Sequence, residues 1–399
     1  MALTGHNGPV SHIIKLVPAN DTYDGANVSC NYVVSAGHDS TVRIWNVSEG
    51  ICIGRCNDVI SSSSGAEQAT DGETASGPDL TAVSALTSSQ GCAGESGSSV
   101  ITGTESGYIR VWDLGKNESG DARLSSKFHA HKGRVTCLVS DSNSTDAQPG
   151  SILSGYPRLV SGGADRTVRL WDPRLRKPQV FLFKGHTDTV NALLFDASRA
   201  CVVSGGRDNS VRLWDIRTGR QRSAMMEHFG NVNCLETVKE KMAEGCYLST
   251  GRDGVICISK RGSGEFSGSL RQGPNAKAVT CLAVKGNGVF DGSRVLSGAV
   301  DGTKTIVGPQ QGQVQQVLAV HINGPISCVS WGNEPGTVVS GGADGQIRTW
   351  DVRLGRCSSW VQAHSAAVTK FVVDPMYICS ASRDGTLRVW PTGAGEREK

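Results

Sequence analysis

Short runs that alternate apolar and polar residues, each closed by a turn signal, recur along the whole chain. In Thr167-Val168-Arg169-Leu170-Trp171 every second side chain is apolar, the period of a strand with one buried face. The apolar run Leu159-Val160-Ser161-Gly162-Gly163 comes just before it, and Ala164-Asp165-Arg166 between them is a tight-turn signal. The pair predicts a strand, a turn and a second strand. Its template is a Ser, four residues to an Asp, and six more to a Trp.

That template recurs as Ser35, Asp39, Trp45; Ser204, Asp208, Trp214; Ser340, Asp344, Trp350; and Ser380, Asp384, Trp390, beside Ser161, Asp165, Trp171. A degraded copy reads Thr102, Ser106, Trp112, and two more keep the front but lose the aromatic, at Ser249, Asp253, Ser259 and at Ser297, Asp301, Val307. Eight units result. At about 150 residues per domain, length alone would divide the 399 residues into two or three domains. Self-similarity overrides that division, because a lone four-stranded sheet exposes two apolar faces and needs a neighbour on each side. A ring leaves no face uncovered. The expectation is one closed all-β assembly over residues 1–391, with 392–399 as a short tail. Few residues follow Trp390, so Met1 to Thr4 are expected to supply the last outer strand.

Most units are preceded by a Gly-His or similar pair, at His6, His131, His186, His228, His321 and His364. With these histidines the chain resembles the WD40-repeat family over essentially its whole length. The resemblance implies a β-propeller of four-stranded blades around a central channel, with eight blades as the reading and seven as the alternative. It also implies that in each blade the His donates to the turn Asp while the Ser and the Trp ring nitrogen complete a buried set. The sets are His6, Ser35, Asp39, Trp45; His131, Ser161, Asp165, Trp171; His186, Ser204, Asp208, Trp214; His321, Ser340, Asp344, Trp350; and His364, Ser380, Asp384, Trp390. They look catalytic but read as structural, since a buried Asp is tolerable only when satisfied. The second unit has Asp79 in the His place and the sixth has Asn275. Units five and six forgo the Trp, so that sector is expected to open first.

Composition narrows the function. At 38% apolar and 19% charged the chain is a folded soluble one. It has no run of about 18 apolar residues, so membrane insertion is not expected. Met1-Ala2-Leu3-Thr4 carries no leader, and the expected location is cytoplasmic and/or nuclear. Forty basic against 37 acidic residues leave +3, which excludes the global basic footprint of a dedicated nucleic-acid binder. Thirteen cysteines, an odd number, read as thiols rather than a disulfide framework. Cys137, Cys234, Cys281 and Cys328 each follow a Val or Ile by two residues, which by period two places the pair on one strand face. No zinc spacing, nucleotide loop or nucleophile elbow is present. No catalytic residue, cofactor or metal is therefore assigned, and the chain reads as a non-enzymatic scaffold. The polar stretch at about 57–78 is expected to be a disordered insertion, and about 88–99 and 141–156 are expected to be loops.

Two rims are left to bind partners. The residue before each turn Asp samples one of them, where Arg207, Arg252 and Arg383, with Lys132 and Arg134 from the His loops, form a patch for an acidic or phosphorylated peptide. Lys277 adds to it. On the other rim, Trp171-Asp172-Pro173-Arg174, Trp214-Asp215-Ile216-Arg217 and Trp350-Asp351-Val352-Arg353 resemble the DWD box of substrate receptors on cullin-four ubiquitin ligases. That resemblance implies Arg174, Arg217 and Arg353 as adaptor contacts. The alternatives are a general assembly platform in trafficking or signalling, and the propeller of a truncated F-box protein.

Overall fold

The computed structural model describes residues 1–16, 32–56, 82–84, 99–114, 122–140, 159–173, 175–238, 245–271, 277–285, 294–308, 313–319, 324–334 and 336–392. Among them the strands form eight antiparallel four-stranded sheets. We number these as blades 1 to 8 by their innermost strands: Val10–Leu16, Ala82–Ser84, Val135–Ser140, Val190–Asp196, Val232–Val238, Val279–Lys285, Ile326–Trp331 and Val368–Val373. Blade 4 shows the plan, running outward through Val190–Asp196, Cys201–Gly206, Val211–Asp215 and Gln221–Met225. Each inner strand packs against those on either side, and Val10–Leu16 meets Val368–Val373, so the ring closes with eight blades.

Closure uses the first residues of the chain, as the repeat arithmetic requires. Ala2–Leu3 is the outer strand of blade 8 and pairs with Leu387–Pro391, Ala2 opposite Arg388 and Leu3 opposite Leu387. The terminal ammonium donates to Val389 O at 2.9 Å.

The core is divided among the interfaces between blades. Among the described residues there are eight apolar clusters, each straddling two neighbouring blades. The one that closes the ring joins Leu3, Tyr377, Leu387 and Val389 of blade 8 to Val10, Ile13, Val33 and Trp45 of blade 1. Close approach explains the paired glycines before the turns of blades 3, 4 and 7. A methyl built on Gly205 would lie 2.5 Å from Val232 of the next blade, and one on Gly206 would lie 2.5 Å from the Asp208 carboxylate.

One expectation is corrected. The inner strands do not hold period two at their start, because a register shift falls between Val135 and Cys137, Val232 and Cys234, Val279 and Cys281, and Ile326 and Cys328. The bulge inserts one residue and turns the Val and the Cys to opposite faces. Val135 packs toward blade 2, whereas Cys137 packs toward blade 4. The inserted residue has a use of its own. Asn191 Nδ2 donates to Val232 O at 3.3 Å, Asn233 Nδ2 to Val279 O at 2.9 Å, and Thr280 Oγ1 to Ile326 O at 2.5 Å. Thr136 Oγ1 donates to Val190 O, and Thr369 Oγ1 to Val10 O at 2.7 Å across the closure. These bonds form a polar girdle that links blades 3 to 7 in succession and blade 8 to blade 1.

The described cysteines are free thiols. Burial pushes Cys137 and Cys234 up to about 12. Among the described residues no helix is long and apolar enough to cross a membrane. The insertion at 57–78, the loops at 88–98 and 141–156, and residues 393–399 lie outside the described residues, as do Asp79, Asn275, Arg174 and His321. Ser99, which the sequence placed in a loop, opens the second strand of blade 2.

Candidate functional site

The four-residue sets assemble as the resemblance implies, because Ser and Trp ten residues apart lie diagonally on one face of a hairpin, Ser204 opposite Arg212 and Trp214 opposite Val202 in blade 4. In blade 4 the indole Nε1 of Trp214 is only a donor, and it gives its proton to Ser204 Oγ at 2.8 Å. The Ser204 hydroxyl proton then points to His186 Nε2 at 2.7 Å, which leaves the imidazole proton on Nδ1, facing Asp208 at 2.9 Å. The backbone N–H of Thr187 and the hydroxyl of Ser210 complete the carboxylate at 2.9 and 2.7 Å. Blade 1 repeats this with His6, Ser35, Asp39 and Trp45, blade 3 with His131, Ser161, Asp165 and Trp171, and blade 8 with His364, Ser380, Asp384 and Trp390.

The order Ser, His, Asp is that of a hydrolase triad, but the surroundings differ. Ser161, Ser204 and Ser380 are 0% exposed, and each hydroxyl oxygen already accepts an indole proton. A substrate carbonyl has no way in. Burial holds His6, His131, His186 and His364 below the usual imidazole value, although the facing carboxylate works the other way. Burial alone would raise Asp39, Asp165, Asp208 and Asp384, but donated backbone, hydroxyl and imidazole protons outweigh it and hold them low. The set is thus a neutral imidazole beside a carboxylate.

Blade 5 holds a set that the missing Trp hid. His228 Nδ1 faces Asp253 at 2.9 Å and Nε2 faces Ser249 at 2.9 Å, with Ser259 buried in the Trp position. Glu227-His228 ahead of Ser249 and Asp253 was the available signal. In blade 7 the described half, Trp350 to Ser340 at 3.3 Å, is in place, alongside Asp344, whose carboxylate accepts the N–H of Gln346 at 3.0 Å. Blade 2 substitutes hydroxyls: Trp112 donates to Thr102 at 3.1 Å, and Thr104 meets Ser106 at 3.0 Å.

These turns build the upper rim. The residue before the turn Asp donates its N–H to the carbonyl just ahead of the inner strand: His38 to Pro9, Ala164 to Arg134, Arg207 to Thr189, Arg252 to Asn231 and Arg383 to Ala367, at 2.8 to 3.0 Å. Side chains at this position therefore ring the channel mouth. Arg207, Arg252, Arg383, Lys132, Arg134 and Lys277 are exposed there, and Arg134 pairs with Glu105 at 3.3 Å. His38 and Arg383 line an opening of about 390 Å³ with Ser11 and Thr369, and Arg134 lines one of about 260 Å³ with Thr136 and Asn191.

On the lower rim, the Asp after each Trp holds a turn. Asp215 accepts the N–H groups of Arg217 and Thr218 at 2.7 and 3.1 Å, and Asp351 those of Arg353 and Leu354 at 2.8 and 3.2 Å. Arg217 and Arg353 are left exposed. Beside Arg353, Asp351, Leu354 and Arg356 line a groove of about 690 Å³ between blades 7 and 8. No motif or spacing marks the clamp between blades 4 and 5. There Arg261 grips the buried Asp196 at 2.6 and 2.8 Å, with Tyr247 Oη donating to the same carboxylate at 2.9 Å.

Eight blades, four of them carrying complete His, Ser, Asp and Trp sets among the described residues, define a repeat propeller. A family model described as WD domain, G-beta repeat matches residues 1–46, 122–172, 177–215, 312–351 and 355–391, and the chain belongs to that family. The matches skip blade 5 and the first three strands of blades 2 and 6, yet all three fold as blades. Autophagy-related protein 16 of Arabidopsis thaliana is 26% identical over 63% of this chain and 45% of its own length. Nuclear distribution protein PAC1 of Yarrowia lipolytica is 28% identical over 75% of this chain and 61% of its own. The DENN domain and WD repeat-containing protein SCD1 of Arabidopsis thaliana is 25% identical over 72% of this chain and 28% of its own. The chain thus spans less than two thirds of each of these relatives. Propellers of this family generally serve as non-catalytic scaffolds, and the matches support a protein-interaction scaffold.

Proposed function

We propose that the chain is a non-catalytic platform that holds an acidic or phosphorylated segment of a partner protein on its upper rim, in the cytoplasm and/or nucleus. The observation that carries this reading is the backbone bonding that fixes Arg207, Arg252 and Arg383 around the channel mouth with their side chains exposed. Guanidinium groups so placed bind carboxylate or phosphate in a bidentate manner. Lys132 and Arg134 extend the patch. The test is binding of a labelled acidic peptide to the intact chain and to the Arg207→Ala, Arg252→Ala double variant. At least a tenfold loss is expected, and unchanged affinity overturns the reading.

A second reading concerns the lower rim, where Arg217 and Arg353 stand on turns held by Asp215 and Asp351 and the blade 7 and 8 groove lies alongside. It makes the chain a substrate receptor that docks on a cullin-four adaptor through Arg174, Arg217 and Arg353. A pull-down that recovers the adaptor, and loses it when all three become Ala, supports that role. Recovery of partners without the adaptor leaves the general platform.

A further inference from the structure

The five described loops that place a His on a turn Asp also supply a backbone N–H from the next residue. Asn7, Lys132, Thr187 and Ser365 donate to Asp39, Asp165, Asp208 and Asp384, and in blade 5 Phe229 donates to Asp253 at 2.9 Å. Four of these residues are polar. The fifth is an aromatic ring left 82% exposed, although its backbone is fixed. Large apolar side chains held rigid in water mark contact surfaces more often when other apolar groups join them. Val300, which holds on blade 6 the position of Arg252, is also exposed, as is Met226 three residues ahead of Phe229 in sequence.

Charge sets the rest of the surface. A methyl built on Gly230 would lie 3.1 Å from Arg252 Cβ, so the loop of Phe229 lies directly against Arg252. Arg207 holds the equivalent position on the adjacent blade. Two exposed carboxylates lie close in sequence: Asp188, next to the Thr189 whose carbonyl receives Arg207, and Glu227, two residues before Phe229. Their charge opposes a long acidic run and favours a ligand that carries a single carboxylate.

From this juxtaposition we infer that blade 5 of the upper rim is a specificity site for a peptide segment in which one carboxylate is flanked by aliphatic side chains, the carboxylate on Arg252 and Arg207 and an aliphatic group on Phe229. This rests on the upper-rim reading and names the partner's chemistry.

The test uses fluorescence anisotropy of the intact chain with three labelled nonapeptides. One has Leu-Glu-Leu at the centre of a Gly/Ser frame, one has both leucines replaced by serine, and one is a run of glutamates. Wild type is expected to bind the Leu-Glu-Leu peptide at least tenfold more tightly than either of the others. Phe229→Ser should remove that preference while leaving the melting temperature unchanged, as befits an exposed side chain. If Phe229→Ser binds Leu-Glu-Leu as wild type does, while Arg207→Ala with Arg252→Ala weakens all three, the inference fails and the upper-rim reading stands. Tightest binding of the glutamate run also overturns the inference. Failure of wild type to bind any of the three overturns both.

Discussion

A serine hydroxyl that takes an indole proton and gives its own to an imidazole serves two buried groups at once. Ser204→Ala should therefore orphan Trp214 Nε1 and His186 Nε2 together and cost about 3 kcal/mol, whereas Ser249→Ala orphans one imidazole nitrogen and should cost about half as much. Urea unfolding of the two variants compares these costs, and equal losses would contradict the proton order given above. Protonation gives a second residue-level prediction. His6, His131, His186 and His364 sit below their usual value when folded, so below about pH 6.5 the unfolded chain binds protons that the folded one refuses. Stability must fall as pH drops through that value. The carboxyls held low at Asp39 and Asp208 act in the same direction at lower pH. Thiols raised by burial act at the other end, since above about pH 8.5 the unfolded cysteines lose protons that Cys137 and Cys234 keep. The melting temperature should form a plateau near pH 7 to 8 and decline on both sides. A melting temperature constant from pH 7 down to pH 5 would contradict the neutral imidazoles.

At the scale of elements, stability depends on how one blade is tied to the next. Arg261 reaches from blade 5 to a carboxylate that ends the inner strand of blade 4, and Asp196 is held low because that guanidinium and its hydroxyl partners outweigh burial. Removing one partner of a buried ion pair strands the other, so Arg261→Ala should cost about 3 kcal/mol in urea unfolding, with partial rescue by Arg261→Lys. A loss no greater than that of an exposed arginine variant would show the clamp to be idle. Neither this clamp nor the girdle of Asn191, Asn233, Thr280 and Thr369 was legible in the sequence, because each joins residues on different repeats with no fixed spacing. The bulge hid the girdle further, since period two holds only where strand pairing is regular. The hairpins, by contrast, were plain. Ser and Trp are ten residues apart in every copy that keeps both because they lie diagonally across one hairpin, whereas the His arrives over a loop of varying length. For that reason the blade 5 set was missed once its Trp became Ser259. Phe229 follows the family's loop grammar in its backbone and departs from it only in its side chain, and exposure shows only in three dimensions.

At the scale of the molecule, the ring distributes its core over interfaces, so no blade is stable alone and the weakest interface sets where opening starts. Blades 5 and 6 lack the indole that other blades bury, and amide exchange there should be faster than in blades 3 and 4. The account as a whole depends on closure between the two ends of the chain. Leu3 is 1% exposed in the cluster shared by blades 8 and 1, and its strand pairs with Leu387–Pro391. Hydrogen exchange by mass spectrometry on the intact chain and on a chain lacking residues 1–4 tests this most directly. The closed ring predicts that 387–391 exchanges as slowly as 211–215 in the intact chain and much faster in the truncated one, with blade 1 loosening beside it. Equal exchange of 387–391 in the two chains would mean that the ring is not closed by its first strand.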